Sequence, residues 1–335
     1  MGRLGCFVWA ALLVGCSGSD AQSEPELDSG ASTVDSSADE AAVDASEDSP
    51  TDSTPLDTAT GGDAPTACAC VDYSDPANVG TLPAVVTETS GLASSRKNPG
   101  VLYAHNDSGD SARVFALDSK GALLGEIAFG GATAVDWEDM AVGPCAEGSC
   151  VWIGDVGDNG KSRSNYALYS IPEPTLDGKT FAKTTIAAHK FPFSYPDGKW
   201  NCETLLVHPT TGEIFVVTKD STIDGGVYRF PAKLVPGTPV TLEKVGSAKG
   251  TNKNLVTGGD ISPCGDRILL RTYGPLYEYT IAPGKTVAEA FSVAPRSVPV
   301  AKEGQGEAVA FRADGRGYFT ASEGTGVALS LTGCR

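Results

Sequence analysis

The chain of 335 residues is short of several features, and each absence narrows the range of functions. It contains three histidines and shows no His-rich metal motif, nucleophile elbow or P-loop, which favours a protein without catalytic activity. Lysine and arginine number 25 against 42 aspartates and glutamates. The sequence therefore lacks the basic footprint of a nucleic-acid-binding protein, and no nucleic-acid partner is predicted.

Long apolar runs are also missing. The stretch from Leu4 to Val14 follows Arg3 and is too short to span a bilayer, which is typical of a secretory signal peptide. It ends in Leu13-Val14-Gly15-Cys16, which resembles the lipobox of bacterial lipoproteins. The resemblance implies removal of residues 1–15, lipidation of Cys16 and membrane attachment through that lipid. Ser17 stands where Asp would signal retention at the inner membrane, so an exported protein at the outer membrane is predicted; a plain signal peptide with an incidental cysteine is the alternative.

Residues 16–71 lack the composition of a folded segment. Between Ser17 and Ala67 there is no aromatic residue, lysine or arginine, but there are thirteen acids. Such a stretch cannot bury enough apolar surface to offset the entropy of ordering, so it is predicted to be a disordered tether. It also carries most of the formal net charge of −17, since residues 68–335 hold 29 acids and 24 bases. Residues 72–335 form the predicted folded domain.

The folded domain shows no apolar helical period over ten residues. Gly, Pro, Asn and Asp separate short β-branched and aromatic runs, so it is predicted to be all-β. Three strand-like elements recur five times in the same order. The first strand of each copy begins at an acidic or polar residue: Ser90, Glu138, Glu203, Asp260 and Glu307. These starts lie roughly 45 to 65 residues apart, the period of β-propeller blades.

Five blades account for residues 72–335, and a six-bladed ring is the alternative. The predicted blades are 90–131, 136–196, 201–249, 256–299 and 305–335. A sixth blade would need strands between Ser170 and Trp200, where one convincing strand is found. The last blade has three strands before the chain stops. A strand over residues 78–88 is therefore predicted to pair with it and close the ring.

Seven cysteines follow Cys16, and an exported protein is expected to pair them. Cys145 and Cys150 flank a four-residue turn between two apolar runs and are predicted to form a disulfide. A zinc site is disfavoured because Cys68-x-Cys70 has no second closely spaced pair. Because seven is an odd number, one cysteine is left over. The partners of the other five stay open: Cys68, Cys70, Cys202, Cys264 and Cys334.

In a propeller, the start of the inner strand and the loop after the second strand meet at one end of the central channel. The predicted metal ligands there are Glu138, Asp155, Glu203 and Glu307. The predicted ligand-binding residues are Asp107, Lys219, Arg271 and Glu323. The candidates for a catalytic acid or base are Glu138, Glu203 and His105. Because crowded carboxylates repel one another, a hard divalent cation such as Ca²⁺ is the expected cofactor.

Each of these features also has a plainer interpretation. The Asp-x-Gly-Asp loops at 107–110 and 155–158 are typical of tight turns. The glutamates fit the solvated lining of a channel. Lys219 and Arg271 fit a structural ring of ion pairs, and His105 fits a hydrogen-bonded residue at a strand end.

Several motifs resemble those of exported bacterial propeller proteins that mostly have no assigned activity. They are Ser90-Gly91-Leu92-Ala93, His105 to Asp110, Asp136-Trp137-Glu138-Asp139 and Gly304 to Val309. The acidic strand starts are also distantly similar to esterase-like phytase and gluconolactonase-type propellers. The latter similarity implies one divalent metal on the axis, with Glu138 and Glu203 matching in type. Basic Lys219 and Arg271 at the mouth depart from that pattern.

Two functions of different class follow. The first is a surface lipoprotein whose propeller binds a small molecule or protein ligand at an acidic mouth. The second is a metal-assisted hydrolase of phosphate esters, esters or lactones, with Glu138 or Glu203 as the base and Arg271 and Lys219 holding an anionic group. A quinone-dependent dehydrogenase is disfavoured because four tryptophans are too few per blade.

Overall fold

The computed structural model describes residues 68, 70–177 and 179–335. They form five antiparallel-based sheets arranged as a five-bladed β-propeller, which confirms the predicted fold class. The predicted signal peptide, Cys16 and nearly all of the tether lie outside the described residues. Within the described ranges, no helix is long and apolar enough to cross a membrane.

The strands follow the chain in blade order. The first strand is β1 (Ala77–Thr81). Blade one then has β2 (Thr89–Ser94), β3 (Val101–Asn106), β4 (Arg113–Asp118) and β5 (Leu123–Gly130). The second repeat supplies β6 (Trp137–Cys145), β7 (Gly148–Asp155), β8 (Ala167–Pro172), β9 (Thr184–Ala187) and β10 (His189–Ser194).

The third repeat supplies β11 (Cys202–Val207), β12 (Ile214–Thr218), β13 (Gly226–Arg229), β14 (Val240–Thr241) and β15 (Glu243–Ser247). Blade four has β16 (Val256–Ile261), β17 (Arg267–Thr272), β18 (Leu276–Thr280) and β19 (Arg296–Val298), with α1 (Val287–Phe291) before its last strand. Blade five has β20 (Gly306–Phe311), β21 (Gly317–Ser322) and β22 (Ala328–Gly333). The short α1, absent from the sequence prediction, begins at a capping box of Thr286 and Glu289.

The ring is closed as predicted. Strand β1 pairs antiparallel with β22 and becomes the outer strand of blade five. The strand is shorter than the predicted 78–88, but the chain beyond it stays packed, with Leu82 and Val86 fully buried between blades five and one. Burial of such side chains contributes roughly 1.5–3 kcal/mol each, so this segment seals the ring with apolar contacts as well as hydrogen bonds.

Two sheets contain a strand from the following repeat. Strand β9 runs parallel to β5 at the edge of blade one, and β14 runs parallel to β10 at the edge of blade two. The segment between Ser170 and Trp200 thus has two strands rather than the one expected, and they extend existing sheets instead of building a sixth blade.

Apolar side chains fill the space between each pair of neighbouring blades. The strands are buried on both faces near the axis, and five hydrophobic clusters form, one at each blade–blade interface. The inner strands β2, β6, β11, β16 and β20 contact one another in a ring around the axis. Their starting residues therefore converge at one face of the propeller.

Three disulfides stabilise the opposite face and the chain ends. Cys145–Cys150 bridges the β6–β7 hairpin, in line with the prediction. Cys68–Cys264 ties the N-terminal segment to the β16–β17 hairpin. Cys70–Cys334 ties the same segment to the end of the chain. Cys202 is the leftover thiol among the described cysteines, and it is buried in β11.

Candidate functional site

The inner strands carry an irregularity at the same place in every blade. Pairing between the first and second strand shifts register near the start of each inner strand. Such β-bulges re-aim a side chain. The residues within the five shifts are Ser90, Glu138, Glu203 with Thr204, Thr257, and Glu307.

A second set consists of the residue that directly follows the second strand of each blade. In every blade the backbone N–H of this residue donates to the carbonyl of the residue two positions before the bulge, at 2.9–3.3 Å. The five residues are Asp107, Val156, Lys219, Tyr273 and Glu323. Together, the bulge residues and these five form the rim of the central channel, which we call the mouth.

The fourth blade corrects one prediction. The register places Thr257, not Asp260, at the bulge position. Asp260 lies three residues further along the inner strand, where its carboxylate accepts from the N–H of Phe311 at 2.8 Å and of Ile261 at 2.8 Å. Because the Gly258-Gly259 pair separates Thr257 from Asp260, alignment on the acidic residue gave the wrong register.

Three carboxylates without a bound base lie together on the side of blades one and two. Asp107, Asp136 and Glu138 each place an oxygen within 4.8 Å of the other two, and we call this group the acidic cluster. Glu138 is 3% exposed, and the only described hydrogen bond to its carboxylate is a long one of 3.4 Å from the Ser90 hydroxyl, which also donates to the Glu138 backbone carbonyl. A nearly buried carboxylate with so little compensation is costly unless it is protonated or bound to a cation.

The acidic cluster has the electrostatics of crowded carboxylates. Burial raises the pKa of Asp107 to about 6, and the neighbouring acids Asp136, Glu323 and Glu88 add to the rise. Burial also raises the pKa of Glu138 well above its ordinary value, with further contributions from Glu203 and Asp107. The same cause raises the pKa of Asp136. The cluster therefore binds protons readily, and a divalent cation would compete for the same oxygens.

The opposite side of the mouth is organised differently. The Lys219 ammonium donates to Glu203 Oε2 at 2.5 Å and to the Tyr273 hydroxyl at 3.0 Å. The Tyr273 hydroxyl donates in turn to Glu307 Oε1 at 2.7 Å. We call these four residues the ion-pair chain. Asn201 completes it by donating to Glu203 Oε1 at 3.1 Å.

The ion-pair chain still holds perturbed acids. Burial raises the pKa of Glu203 to about 7 even though Lys219 opposes the rise. Burial raises the pKa of Glu307 to about 8, and the charges of Glu203 and Glu323 contribute. Glu203 raises the pKa of Lys219 against the effect of burial. One base thus partly compensates two carboxylates.

In each Asp-x-Gly-Asp loop, the first and the last aspartate have different roles. In the second loop, the Asp155 carboxylate accepts from Arg163 Nη2 at 2.6 Å and from the Asp136 N–H at 3.1 Å, so it fixes the backbone at Asp136. The last aspartates bond within their own loops, Asp110 to Arg113 at 2.8 Å and Asp158 to the Ser162 N–H at 2.8 Å. The tight-turn interpretation thus fits Asp110 and Asp158.

Two predicted residues are packed away from the mouth. His105 is fully buried beside Gly91 and Trp137, and burial lowers its pKa to about 4, so it stays neutral at physiological pH. Arg271 is 1% exposed, pairs with Glu303 at 3.0 Å and donates to the Gly274 carbonyl at 3.1 Å. His105 and Arg271 are each the next-to-last residue of the second strand of their blade, and their side chains face a neighbouring blade.

Asp139 has a structural role at the axis. Its carboxylate accepts from the N–H groups of Met140, Leu205 and Gly259 at 2.8–3.1 Å. These residues belong to the inner strands of blades two, three and four. The Asp136-Trp137-Glu138-Asp139 stretch therefore contributes two carboxylates to the mouth and one that joins three blades.

One member of the acidic cluster, Asp136, and one member of the ion-pair chain, Tyr273, were missed from the sequence. Asp136 lies two positions before Glu138, the spacing that puts side chains on one side of an extended chain, and this signal was available. Tyr273 follows Arg271 and Thr272, and only the strand register shows that it, rather than Arg271, occupies the rim.

The fold and this mouth define a class only in outline: a five-bladed propeller with one acidic rim. No family model and no curated protein sequence matches the chain. Among solved structures, it is similar to a gluconolactonase from Xanthomonas campestris described as important in glucose secondary metabolism. The TM-score is 0.47 and the identity 11%, over 82% of this chain and 94% of that one. The matched protein is of the gluconolactonase type named in the sequence analysis.

Proposed function

We propose that the protein is a binding module whose mouth holds a divalent cation and, next to it, a ligand. The observation that carries this proposal is the acidic cluster: three carboxylates within 4.8 Å, one of them nearly buried, with no base bound to them among the described residues. The ligands are all oxygens, and the cation they suit best is Ca²⁺.

The backbone around the acidic cluster supports this fit. Gly157 passes so close that a Cβ there would lie 2.1 Å from Glu138 Oε1 and 2.6 Å from Asp136 Oδ2. Arg163 Nη1 donates to the Gly157 carbonyl at 2.5 Å and fixes this approach. A Cβ at position 157 would collide with two carboxylates of the acidic cluster, which accounts for glycine there.

We also propose that the protein is exported and lipid-anchored through Cys16. The supporting observations are the lipobox-like sequence and the three disulfides, which suit an oxidising compartment. Cys68 is fixed to the β16–β17 hairpin, on the face opposite the mouth. Replacing Cys16 with Ser should release the protein from the membrane fraction; retention would contradict the anchor.

Calorimetric titration with Ca²⁺, after removal of bound metal, tests the cation site. We expect wild type to bind one Ca²⁺ and Glu138→Gln to lose detectable binding. Glu307→Gln is the matched control because Glu307 occupies the same bulge position in blade five but belongs to the ion-pair chain. Absence of Ca²⁺ binding in wild type would refute the proposal, and equal loss in both variants would place the site elsewhere in the mouth.

A metal-assisted hydrolase is the second candidate, favoured by one observation. Glu203 has a pKa of about 7, which suits a general base near neutral pH, and Lys219 beside it can hold an anionic group. A bound cation would supply Lewis-acid chemistry. Phosphate-ester and lactone substrates, assayed with Ca²⁺ present, distinguish the candidates. Turnover that Glu203→Gln abolishes would favour the hydrolase, and Ca²⁺ binding without turnover would favour the binding module.

A further inference from the structure

A cavity of about 570 Å³ lies between blades five and one, on the face opposite the mouth. The β2–β3 hairpin and the β4–β5 turn form its blade-one side, and β1 with the β20–β21 hairpin forms its blade-five side. The cavity therefore lies at the seam that β1 closes. Its volume is within the range of small-molecule sites.

The apolar part of the lining is mainly aliphatic. It consists of Val79, Val101, Leu102, Phe319 and Leu331, and four of these belong to the hydrophobic cluster between the two blades. Val79 and Leu331 are only partly buried, so some apolar surface of this cluster is left in contact with solvent. A ligand that covers such surface gains free energy from the hydrophobic effect.

The charged side chains of the lining sum to one positive charge. The polar lining residues are Ser94, Ser119, Lys120, Arg312 and Asp314. Arg312 Nη2 pairs with Asp314 Oδ2 at 2.7 Å, and the Ser94 hydroxyl donates to the Phe311 carbonyl at 2.5 Å, so these three side chains have partners. Lys120 is exposed, and its ammonium has no ion-pair partner among the residues that the structure describes.

The turn that carries Lys120 is fixed at the seam. The Asp118 carboxylate accepts from the N–H groups of Lys120 and Ala122 at 2.8 and 2.9 Å. Strand β1 passes so close at Gly80 that a Cβ there would collide with the Lys120 carbonyl oxygen. The backbone at Lys120 is therefore held in place, while its long side chain is free to move its ammonium to a ligand in the cavity.

We propose that this cavity binds the alkyl chain of a monocarboxylate, such as a medium-chain fatty acid, and that the Lys120 ammonium binds the carboxylate. The aliphatic side chains would cover the alkyl chain, and the exposed Ser119 hydroxyl offers a second donor. Asp314 on the same rim disfavours a doubly charged head group such as phosphate, because like charges repel. This site is separate from the mouth and needs no cation.

Octanoate and 1-octanol test the location of the site, because they share an alkyl chain and only octanoate is charged. In the complete protein labelled with ¹³C at its Leu and Val methyl groups, both should shift the signals of Leu102 and Leu331. The signals of Val135 and Val293, which are 44% and 63% exposed and lie outside the lining, should stay in place. Unmoved Leu102 and Leu331 signals would overturn the proposal, and equal shifts at all four residues would show only general adsorption and do the same.

Affinity tests the role of the charge. Lys120→Gln should weaken octanoate binding about fivefold, the effect of one exposed ion pair. Its affinity for 1-octanol should be unchanged, which also shows that the variant is folded. Lys302→Gln is the matched control, because Lys302 is exposed, has no ion-pair partner among the described residues and lies outside the cavity. Octanoate affinities that are equal in wild type and Lys120→Gln, or lowered equally in both variants, would contradict the proposal.

Chain length tests the role of the apolar lining. Hexanoate has two methylene groups fewer than octanoate, so its affinity for wild type should be about tenfold lower. Equal affinities for the two acids would mean that the alkyl chain does not enter the cavity.

Discussion

The two sides of the mouth solve the same problem in different ways. Each contains carboxylates from bulge positions of inner strands: Glu138 in the acidic cluster, and Glu203 and Glu307 in the ion-pair chain. In the ion-pair chain, the protein supplies the compensating groups: Lys219 bonds to Glu203, and Tyr273 bonds to Glu307. In the acidic cluster, the rim position of blade one is Asp107 and that of blade two is Val156. The neighbouring base Arg163 bonds to Asp155 and the Gly157 carbonyl rather than to a carboxylate of the cluster, and its charge only opposes the rise of the Asp136 pKa.

The difference indicates where a ligand is needed. The side that contains its own base is partly compensated, whereas the side with three acids requires protons or a cation from solution. The identity of the rim residue, Lys219 against Asp107, thus distinguishes the half that has its own base from the half where we propose a cation. The predictions below test this division, beginning with the largest expected effect.

Removing the base should convert the compensated side into an uncompensated one. Lys219→Met leaves Glu203 buried without its partner and should destabilise the protein by about 3–5 kcal/mol at pH 8, measured by urea unfolding. Lys161→Met is the control, because Lys161 is 45% exposed and pairs with Asp220 at 3.3 Å, so its loss should cost less than about 1 kcal/mol. Similar small losses in both variants would show that Glu203 does not depend on Lys219.

Adding a side chain next to the acidic cluster should remove the stabilisation of the protein by Ca²⁺. At a Ca²⁺ concentration of 100 Kd, binding stabilises the native state by about 2.7 kcal/mol, or roughly 5–10 °C in melting temperature. Gly157→Ala should lose this rise because its Cβ would meet Glu138 Oε1. In Gly160→Ala, in the same loop, the new Cβ would meet only ordinary contacts from 3.4 Å, so the rise should persist. A full rise in Gly157→Ala would move the cation away from Glu138.

The pH dependence should reveal both sides in the absence of cation. Glu203, Glu307 and Asp107 have folded-state pKa values raised to about 7, 8 and 6. Between their ordinary values and these raised values, the folded protein binds more protons than the unfolded chain, so stability falls as pH rises. From pH 5 to pH 8 in chelator we therefore expect the free energy of unfolding, measured in urea, to fall. Ca²⁺ should reduce this loss, and stability that increases over this range would contradict the assigned shifts.

The smallest effect should come from the hydroxyl that links the chain. Tyr273→Phe removes the hydrogen bonds to Glu307 and Lys219 but keeps the ring over the Lys219 ammonium, 4.5 Å from its centroid. We expect a loss of about 1 kcal/mol in unfolding free energy and unchanged Ca²⁺ affinity. A weakened Ca²⁺ affinity would mean that the two sides are coupled, which would end the division.

The sequence predicts the architecture well because propeller strands repeat in a fixed order and alternate with turn residues. The five blades, the closing strand and the Cys145–Cys150 bridge all follow from local pattern. The position of Glu138, Glu203 and Glu307 at the mouth follows from the same repeat. The exchanged strands β9 and β14 could not be predicted in the same way, because parallel edge pairing depends on contacts between repeats.

The rest of the site depends on register, which composition does not reveal. A single bulge decides that Tyr273 reaches the rim and that Arg271 points between blades, where Gly306 leaves space for its guanidinium. Likewise, the pairing of Asp155 with Trp137 brings the Asp155 carboxylate to the Asp136 N–H, and Asp155 is not one of the three carboxylates of the acidic cluster. Charge alone suggested that these residues share one surface, and strand pairing separates them.

The exchanged strands have a consequence for how such a chain can change its number of repeats. Three of the five sheets contain a strand from outside their own repeat: β9 in blade one, β14 in blade two and β1 in blade five. Deleting or duplicating the second repeat would leave a neighbouring sheet without its edge strand or present it with two. Blade four is complete within its own segment. Modular gain of a repeat is therefore least costly beside blade four, and the acidic cluster lies in the part of the ring where repeats cannot be exchanged singly.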